Sequence, residues 1–298
     1  MICSLVGVCV DEVCVNLWNH RGKPRSQAWH DDIFDIFAFF ISRGGVDELV
    51  MHMIRTNRTG IIAAMESEFR DLATSLNHER SEKIAGRELL YGNLEGQPVA
   101  LVLCGCGKVN AALSATLLAG HSKVARILVT GLSGGLAQDL NVGDIVIADS
   151  FIQHDMDARP LFPQHEIPFE GFSLIEAEVD LRHLLTQAAR EMLVEKCPPG
   201  LEAARIRHGL VATGDQFVSS QKGRNALLNA LPKASCVDME SAAIAQVCRA
   251  ANLPLGVMRV ISDSADGSAH IDFAHFVEHS ASVACAETVR FALRALKE

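Results

Sequence analysis

Three carboxylates stand where apolar runs of the chain end. Glu68 closes the run Ile61-Ile-Ala-Ala-Met65-Glu66-Ser67-Glu68. Glu240 follows Val237-Asp238-Met239 and precedes Ser241-Ala-Ala-Ile-Ala, and Asp263 follows Val257-Met258-Arg259-Val260-Ile261-Ser262. If those runs are strands of an open α/β sheet, their carboxyl ends are where ligand sites assemble. Taken singly, each acid has a plainer role as the cap of the following helix, a role that suits Glu66 or Asp263. Taken together, the three suit the removal of a heterocyclic base from a sugar. One acid protonates the leaving ring, one carboxylate activates water, and one holds hydroxyls. Positive charge builds on the sugar as its bond to the base breaks, so anionic groups beneath it stabilise the transition state.

Glycines cluster at two further strand ends. Gly105-Cys106-Gly107-Lys108 follows one run, and Gly131-Leu132-Ser133-Gly134-Gly135 is expected as the loop after the next. Such loops either serve tight turns or let a backbone approach a ligand. Val109 follows Lys108 where a phosphate-binding P-loop needs serine or threonine, and neither stretch has the dinucleotide GxGxxG spacing. His275-Phe-Val-Glu278-His279, with His270 nearby, matches the HxxEH pattern of a zinc peptidase. Catalytic zinc needs a third protein ligand, which no second carboxylate motif is placed to supply. These residues are therefore read as polar groups on the outer face of the last helix. No metal and no cofactor is expected.

The elements that must position the acids alternate along the chain. Strand-like runs cover Gly60–Ala64, Val99–Cys104, Ile127–Thr130, Asp144–Ala148, Gly209–Thr213 and Gly256–Ile261. Helical spacing of apolar residues marks Val109–Ala119, Leu181–Val194, Glu240–Ala251 and Phe273–Leu296. The alternation predicts an α/β, single-domain three-layer fold, with a central, largely buried sheet flanked by helices. That domain is expected over residues 57–298.

Composition removes several classes of function. The chain has 298 residues, 49% hydrophobic and 21% charged, within the range of ordered globular proteins. Thirty-six acidic against 27 basic residues leave a net charge of −9, the wrong sign for a nucleic-acid binder that neutralises phosphates. No uninterrupted apolar run approaches the roughly 18–20 residues that span a bilayer, so neither nucleic acid nor membrane is an expected partner. The nine cysteines are odd in number and form no CxxC pair. The opening stretch, Met1 to Leu17, lacks the basic start of a secretory signal. A reducing, cytoplasmic compartment follows. Residues 1–56 hold both tryptophans and a phenylalanine-rich run. They read either as an accessory extension or as the product of a start assigned upstream of Met51 and Met53.

Read in order, a series of short motifs carries a resemblance. Ala64-Met65-Glu66-Ser67-Glu68, Gly105-Cys-Gly-Lys-Val-Asn110, Thr130-Gly-Leu-Ser-Gly-Gly-Leu136 and Val142-Gly-Asp-Ile-Val-Ile147 come first. His154-Asp-Met-Asp157, Thr213-Gly-Asp-Gln-Phe217, Asp238-Met-Glu-Ser-Ala-Ala243 and Arg259-Val-Ile-Ser-Asp-Ser-Ala-Asp266 follow. From about residue 60 onward the chain resembles the 5′-methylthioadenosine/S-adenosylhomocysteine nucleosidases of the wider nucleoside phosphorylase superfamily. The resemblance implies that superfamily's mixed central sheet.

It also implies roles. Glu68 matches the base that deprotonates the attacking water, and Asp263, with Ser262 beside it, matches the acid that protonates adenine N7. For that work Asp263 is expected to hold a proton near neutral pH, through burial and a neighbouring carboxylate. Glu240 matches the carboxylate on the ribose hydroxyls, with Met239 beneath the sugar and Arg259 near enough to keep Glu240 ionised. Phe217 matches the ring stacked on adenine, and the Val218 backbone matches the adenine-edge contact. Met65, Ser133 and Gly134 match positions lining sugar and base. The resemblance implies a purine nucleoside substrate and a homodimer whose neighbouring subunit closes part of the 5′ pocket.

Two departures bear on the chemistry. Leu132 stands where many relatives carry a small hydroxyl residue, so an anion there finds neither a hydroxyl at 132 nor an arginine at 129 or 130. Water is favoured over phosphate as acceptor. Cys106 and Arg159-Pro-Leu-Phe-Pro163 differ from the commoner lining of the 5′ pocket and leave the 5′ substituent open. The alternatives are a phosphate-dependent nucleoside phosphorylase and a non-catalytic nucleoside-binding protein.

Overall fold

A computed structural model of the chain describes residues 56–265, 276 and 280–296. The expectations for residues 1–55 and for His270, His275, Glu278 and His279 therefore lie outside the described residues. The strands are β1 Thr59–Ala63, β2 Asn77–Ile84, β3 Arg87–Leu94, β4 Gln97–Leu103, β5 Arg126–Gly135, β6 Ile145–Gln153, β7 Leu174–Glu176, β8 Ile206–Thr213, β9 Ala234–Asp238 and β10 Leu255–Asp263. The helices are α1 Glu66–Ser75, α2 Lys108–Thr116, α3 Val179–Glu195, α4 Gln221–Ala230, α5 Ser241–Ala250 and α6 Ser282–Ala295. A π-helical turn, Leu117–His121, extends α2. Among the described residues no helix is long and apolar enough to cross a membrane.

The strands form one mixed sheet in the order β10-β6-β8-β9-β5-β1-β4-β3-β2, with β7 on β6. An additional β10–β5 pairing closes β5, β9, β8, β6 and β10 into a circuit. Side chains of successive strand residues face opposite ways. Along β5, Ile127 and Val129 pack with Ala111 and Ala115 of α2 and Ile244 of α5. Leu128 between them packs with Leu181 and Leu185 of α3 and Phe291 of α6. Helices thus cover both faces, the three-layer arrangement that the alternating sequence predicts.

One expected loop is a strand. The stretch from Gly131 to Gly135 continues β5, with Gly131 beside Arg259, Ser133 beside Ile261 and Gly134 beside Asp263 on β10. Gly134 also pairs with Val237 of β9. Glycine weakens a strand only through lost side-chain packing and entropy, and here β10 runs beside the segment while β9 pairs with its end at Gly134 and Gly135. The polar hairpin β2–β3 also escapes the sequence reading, because β2 is mostly solvent-exposed and shows no buried alternation.

Candidate active site

The carboxyl ends of β1, β5, β9 and β10 surround a cleft of about 120 Å³. Its walls hold Glu68, Asp263, Met65, Cys106, Ser133, Gly134, Phe217, Val218, Met239, Glu240, Arg259 and Ser262, which is every site residue named from the sequence. Ala64, Leu132, Gln216, Val237 and Asp238 line it as well. Asp238 was within reach of sequence reasoning, since it too is an acid at a strand end, two residues before Glu240.

Glu68 is the third residue of α1 and turns back toward the strand that precedes the helix. Its Oε2 accepts the N–H groups of Ala64 at 3.0 Å and Met65 at 3.1 Å, and its Oε1 accepts that of Leu132 at 3.2 Å. The side chain thus bridges the ends of β1 and β5 and is 1% exposed. Burial pushes its carboxyl above the ordinary range, and Arg259 with the three N–H donors offsets only part of that rise. A raised pKa makes the ionised form a stronger base.

Glu240 occupies the N-cap position of α5, yet its side chain does not cap that helix. Asp238 takes the capping role by accepting the Ser241 N–H. This frees Glu240 Oε1 to accept the N–H of Gly107 at 3.1 Å across the cleft.

Arg259 is buried to 1% exposure on β10. Its Nη2 lies 2.7 Å from Asp238 Oδ2 but 3.6 Å from Glu240 Oε2. It also donates to Ser241 Oγ, which in turn donates to Asp238. Burial works against the guanidinium charge, but Asp238, Glu240 and Glu68 more than offset it, and the group stays charged. The Arg259 charge favours the ionised form of Glu240, as does the Gly107 N–H, and burial works against both. Arg259 engages Asp238 first, and burial carries the Glu240 carboxyl up to about 7 despite Arg259 and the Gly107 donor.

Room for the guanidinium comes from Gly131, where a Cβ would stand 2.4 Å from Arg259 Nη1. No side chain fits between the arginine and the strand.

Asp263 and Ser262 are neighbours in sequence and would ordinarily face opposite sides of β10. A register shift against β5 between Ile261 and Asp263 lets both line the cleft. Asp263 Oδ2 accepts from Ser262 Oγ at 2.9 Å, and Oδ1 accepts from the Ala265 N–H at 2.7 Å. The Ser133 hydroxyl is buried and meets the Cys236 thiol. At the mouth, Phe217 is 57% exposed. Cys106 is also exposed, and burial of its sulfur followed by the charge of Glu240 raises its thiol pKa, which keeps it neutral.

A mixed sheet with four acids converging at its strand ends defines a class, and comparison with known proteins names it. The family model described as the phosphorylase superfamily matches residues 58–294. A 5′-methylthioadenosine/S-adenosylhomocysteine nucleosidase of Bacillus thuringiensis (strain Al Hakam) is 35% identical over 227 residues, 75% of this chain and 93% of the relative. The nucleosidase of Neisseria meningitidis, solved with methylthio-immucillin-A, aligns at a TM-score of 0.73 and 29% identity over 80% of this chain and 100% of the other. The futalosine hydrolase of Helicobacter pylori aligns at 0.71 and 27% identity over 82% and 99%. The chain belongs to the phosphorylase superfamily and, within it, to the 5′-methylthioadenosine/S-adenosylhomocysteine nucleosidases.

Proposed function

We propose that this enzyme hydrolyses the N-glycosidic bond of 5′-methylthioadenosine and S-adenosylhomocysteine, releasing adenine and the thioribose product. The convergence of Glu68, Glu240 and Asp263 on one cleft carries the reading. Glu240 grips the ribose 2′- and 3′-hydroxyls, with Met239 beneath the sugar. Phe217 stacks on adenine, the Val218 backbone meets the adenine edge, and Met65, Ser133 and Gly134 line the remaining walls. Asp263 gives its proton to N7 while the C1′–N9 pair withdraws into the purine. The ribose cation is met from below by water, whose proton passes to Glu68. Each proton transfer by a poised group is worth roughly 10²–10⁴-fold in rate.

Water rather than phosphate is the acceptor. Arg259 is the one basic residue lining the cleft among the described residues, and it is engaged by Asp238. Leu132 adds no hydroxyl there. A phosphate dianion entering among four carboxylates would meet repulsion without a free cation to bind it.

The same reading makes the protein a cytoplasmic homodimer. The described cysteines are free thiols, as a reducing compartment requires. Leu161 and Phe169 are 83% and 93% exposed beside the 5′-pocket segment, apolar surface that a neighbouring subunit would cover. Light scattering tests the dimer.

The deciding experiment follows purine release from 5′-methylthioadenosine, S-adenosylhomocysteine and futalosine, each with and without phosphate. Equal rates and a free sugar product are expected. Dependence on phosphate with a sugar 1-phosphate product means a phosphorylase. Tight nucleoside binding with no release means a binding protein.

A further inference from the structure

Behind the ribose-binding carboxylate lies a set of charged residues to which the proposed mechanism gives no work. Lys108 opens α2, Asp155 lies just beyond β6, and Asp215 lies just beyond β8. Their bonds form a closed triangle. Lys108 Nζ donates to Asp155 Oδ1 at 2.7 Å, the Asp215 N–H donates to Asp155 Oδ2 at 2.9 Å, and the Lys108 N–H donates to Asp215 Oδ1 at 2.8 Å. Lys108 Nζ also donates to Gln153 Oε1 at 3.1 Å, and Gln153 is tied to Gln246 of α5 at 2.8 Å. Burial pushes the Asp155 carboxyl up, but the Lys108 hydrogen bond and the Asp215 N–H bring it below its ordinary value.

The triangle ends one peptide away from two groups of the site. Gly107, whose N–H holds Glu240, precedes Lys108. Its φ is +98°, and a Cβ there would stand 3.3 Å from Asp215 Oδ1, so chain and carboxylate fit only as glycine. Gln216 and Phe217, both in the cleft wall, follow Asp215.

We infer that Lys108, Asp155 and Asp215 form a latch across three loops that positions the Gly107 N–H on Glu240 and thereby sets the grip on the ribose hydroxyls. The inference deepens the nucleosidase reading and rests on it. These are positioning residues, since none of the three lines the cleft.

A consequence for pH separates this from a merely structural role. Glu240 faces Arg259 from β10, Asp238 from β9, Glu68 from α1, and Cys104 and Cys106 from the loop after β4. Among these neighbours the Gly107 N–H is the donor that the latch controls. Withdrawing it raises the pH at which Glu240 becomes a carboxylate.

The test is binding of a C-nucleoside analogue of 5′-methylthioadenosine, whose glycosidic bond cannot hydrolyse, and of its 2′,3′-dideoxy form, by calorimetry between pH 5.5 and 8.5. Lys108→Met and Asp215→Ala are expected to weaken the hydroxyl-bearing analogue about tenfold, the loss of one hydrogen bond to a charged group. They are expected to weaken the dideoxy form no more than about twofold. The pH at which binding strengthens moves upward in both variants, and Lys108→Arg recovers most of the affinity. Asp215 is exposed, so its variant carries the test if Lys108→Met does not fold. Equal weakening of both analogues, or an unmoved pH dependence, overturns the latch. Absence of adenine release by the wild type overturns the nucleosidase reading instead, and the binding measurement does not depend on it.

Discussion

Two hollows of this molecule contain two glutamates and an arginine each. The candidate active site holds Glu68, Glu240 and Arg259 at the carboxyl ends of the strands. A larger hollow of about 320 Å³ holds Glu176, Glu178 and Arg249 between β7, the end of α5 and the start of β10. In the first, all three charges are at least nine-tenths buried. In the second, all three are exposed to solvent, and Arg249 lies over the Phe172 ring at 4.2 Å. Both hollows pair glutamates with an arginine, and what sets the smaller one apart is that its charges are buried. Desolvation lifts a carboxylate toward neutral pH and makes every charge near it count for more.

The sharpest way to break this comparison is to remove the two proposed proton carriers. Glu68→Gln and Asp263→Asn are each expected to lower kcat by roughly 10²–10⁴-fold, read by adenine release under saturating substrate. Unchanged turnover in either would remove the proposed mechanism. Next in size is stability. Arg259→Met strands Asp238, Glu240 and Glu68 without their shared cation and should cost about 3–5 kcal/mol in denaturant unfolding. Arg249→Ala in the exposed hollow should stay within about 0.5 kcal/mol of wild type.

Titration sharpens the same contrast. Burial lifts Glu240 from its ordinary 4.5 to about 7, so the native state keeps a proton that the unfolded chain has released. Its contribution to stability is therefore complete below 4.5, falls as pH rises through about 7, and is flat above. The grip proposed for Glu240 on the ribose hydroxyls is expected to run the other way and strengthen as the carboxylate forms. Thermal melts and binding isotherms across that window should show opposite slopes, and Glu240→Gln should flatten both. The smallest effect belongs to Glu176→Gln and Glu178→Gln, for which activity within about twofold of wild type is expected at any pH in the window.

Much of the site could be read from local order. An apolar run ending in an acid, repeated at Glu68, Glu240 and Asp263, is a pattern of neighbouring residues, and motif order tied these positions to one family. The hairpin β2–β3 was hidden because a solvent-facing strand has no buried alternation to reveal it. Continuation of β5 through Gly131 to Gly135 was hidden for a different reason. Glycine at a strand end signals a turn by composition, whereas pairing with β9 and β10 depends on residues about a hundred or more positions away.

From sequence alone came the alternation of elements, the acids at strand ends and the family, because each follows from residue type and near spacing. The tertiary structure decided which carboxylate Arg259 serves, since Asp238 and Glu240 differ by two positions in the chain but by 2.7 Å against 3.6 Å in reach. It also decided that Glu68 turns back onto the β1 end and that a bulge presents Ser262 and Asp263 to one cleft. Charge partners and proton affinities depend on distance and on exclusion of water, and neither exists until distant strands have closed around the site.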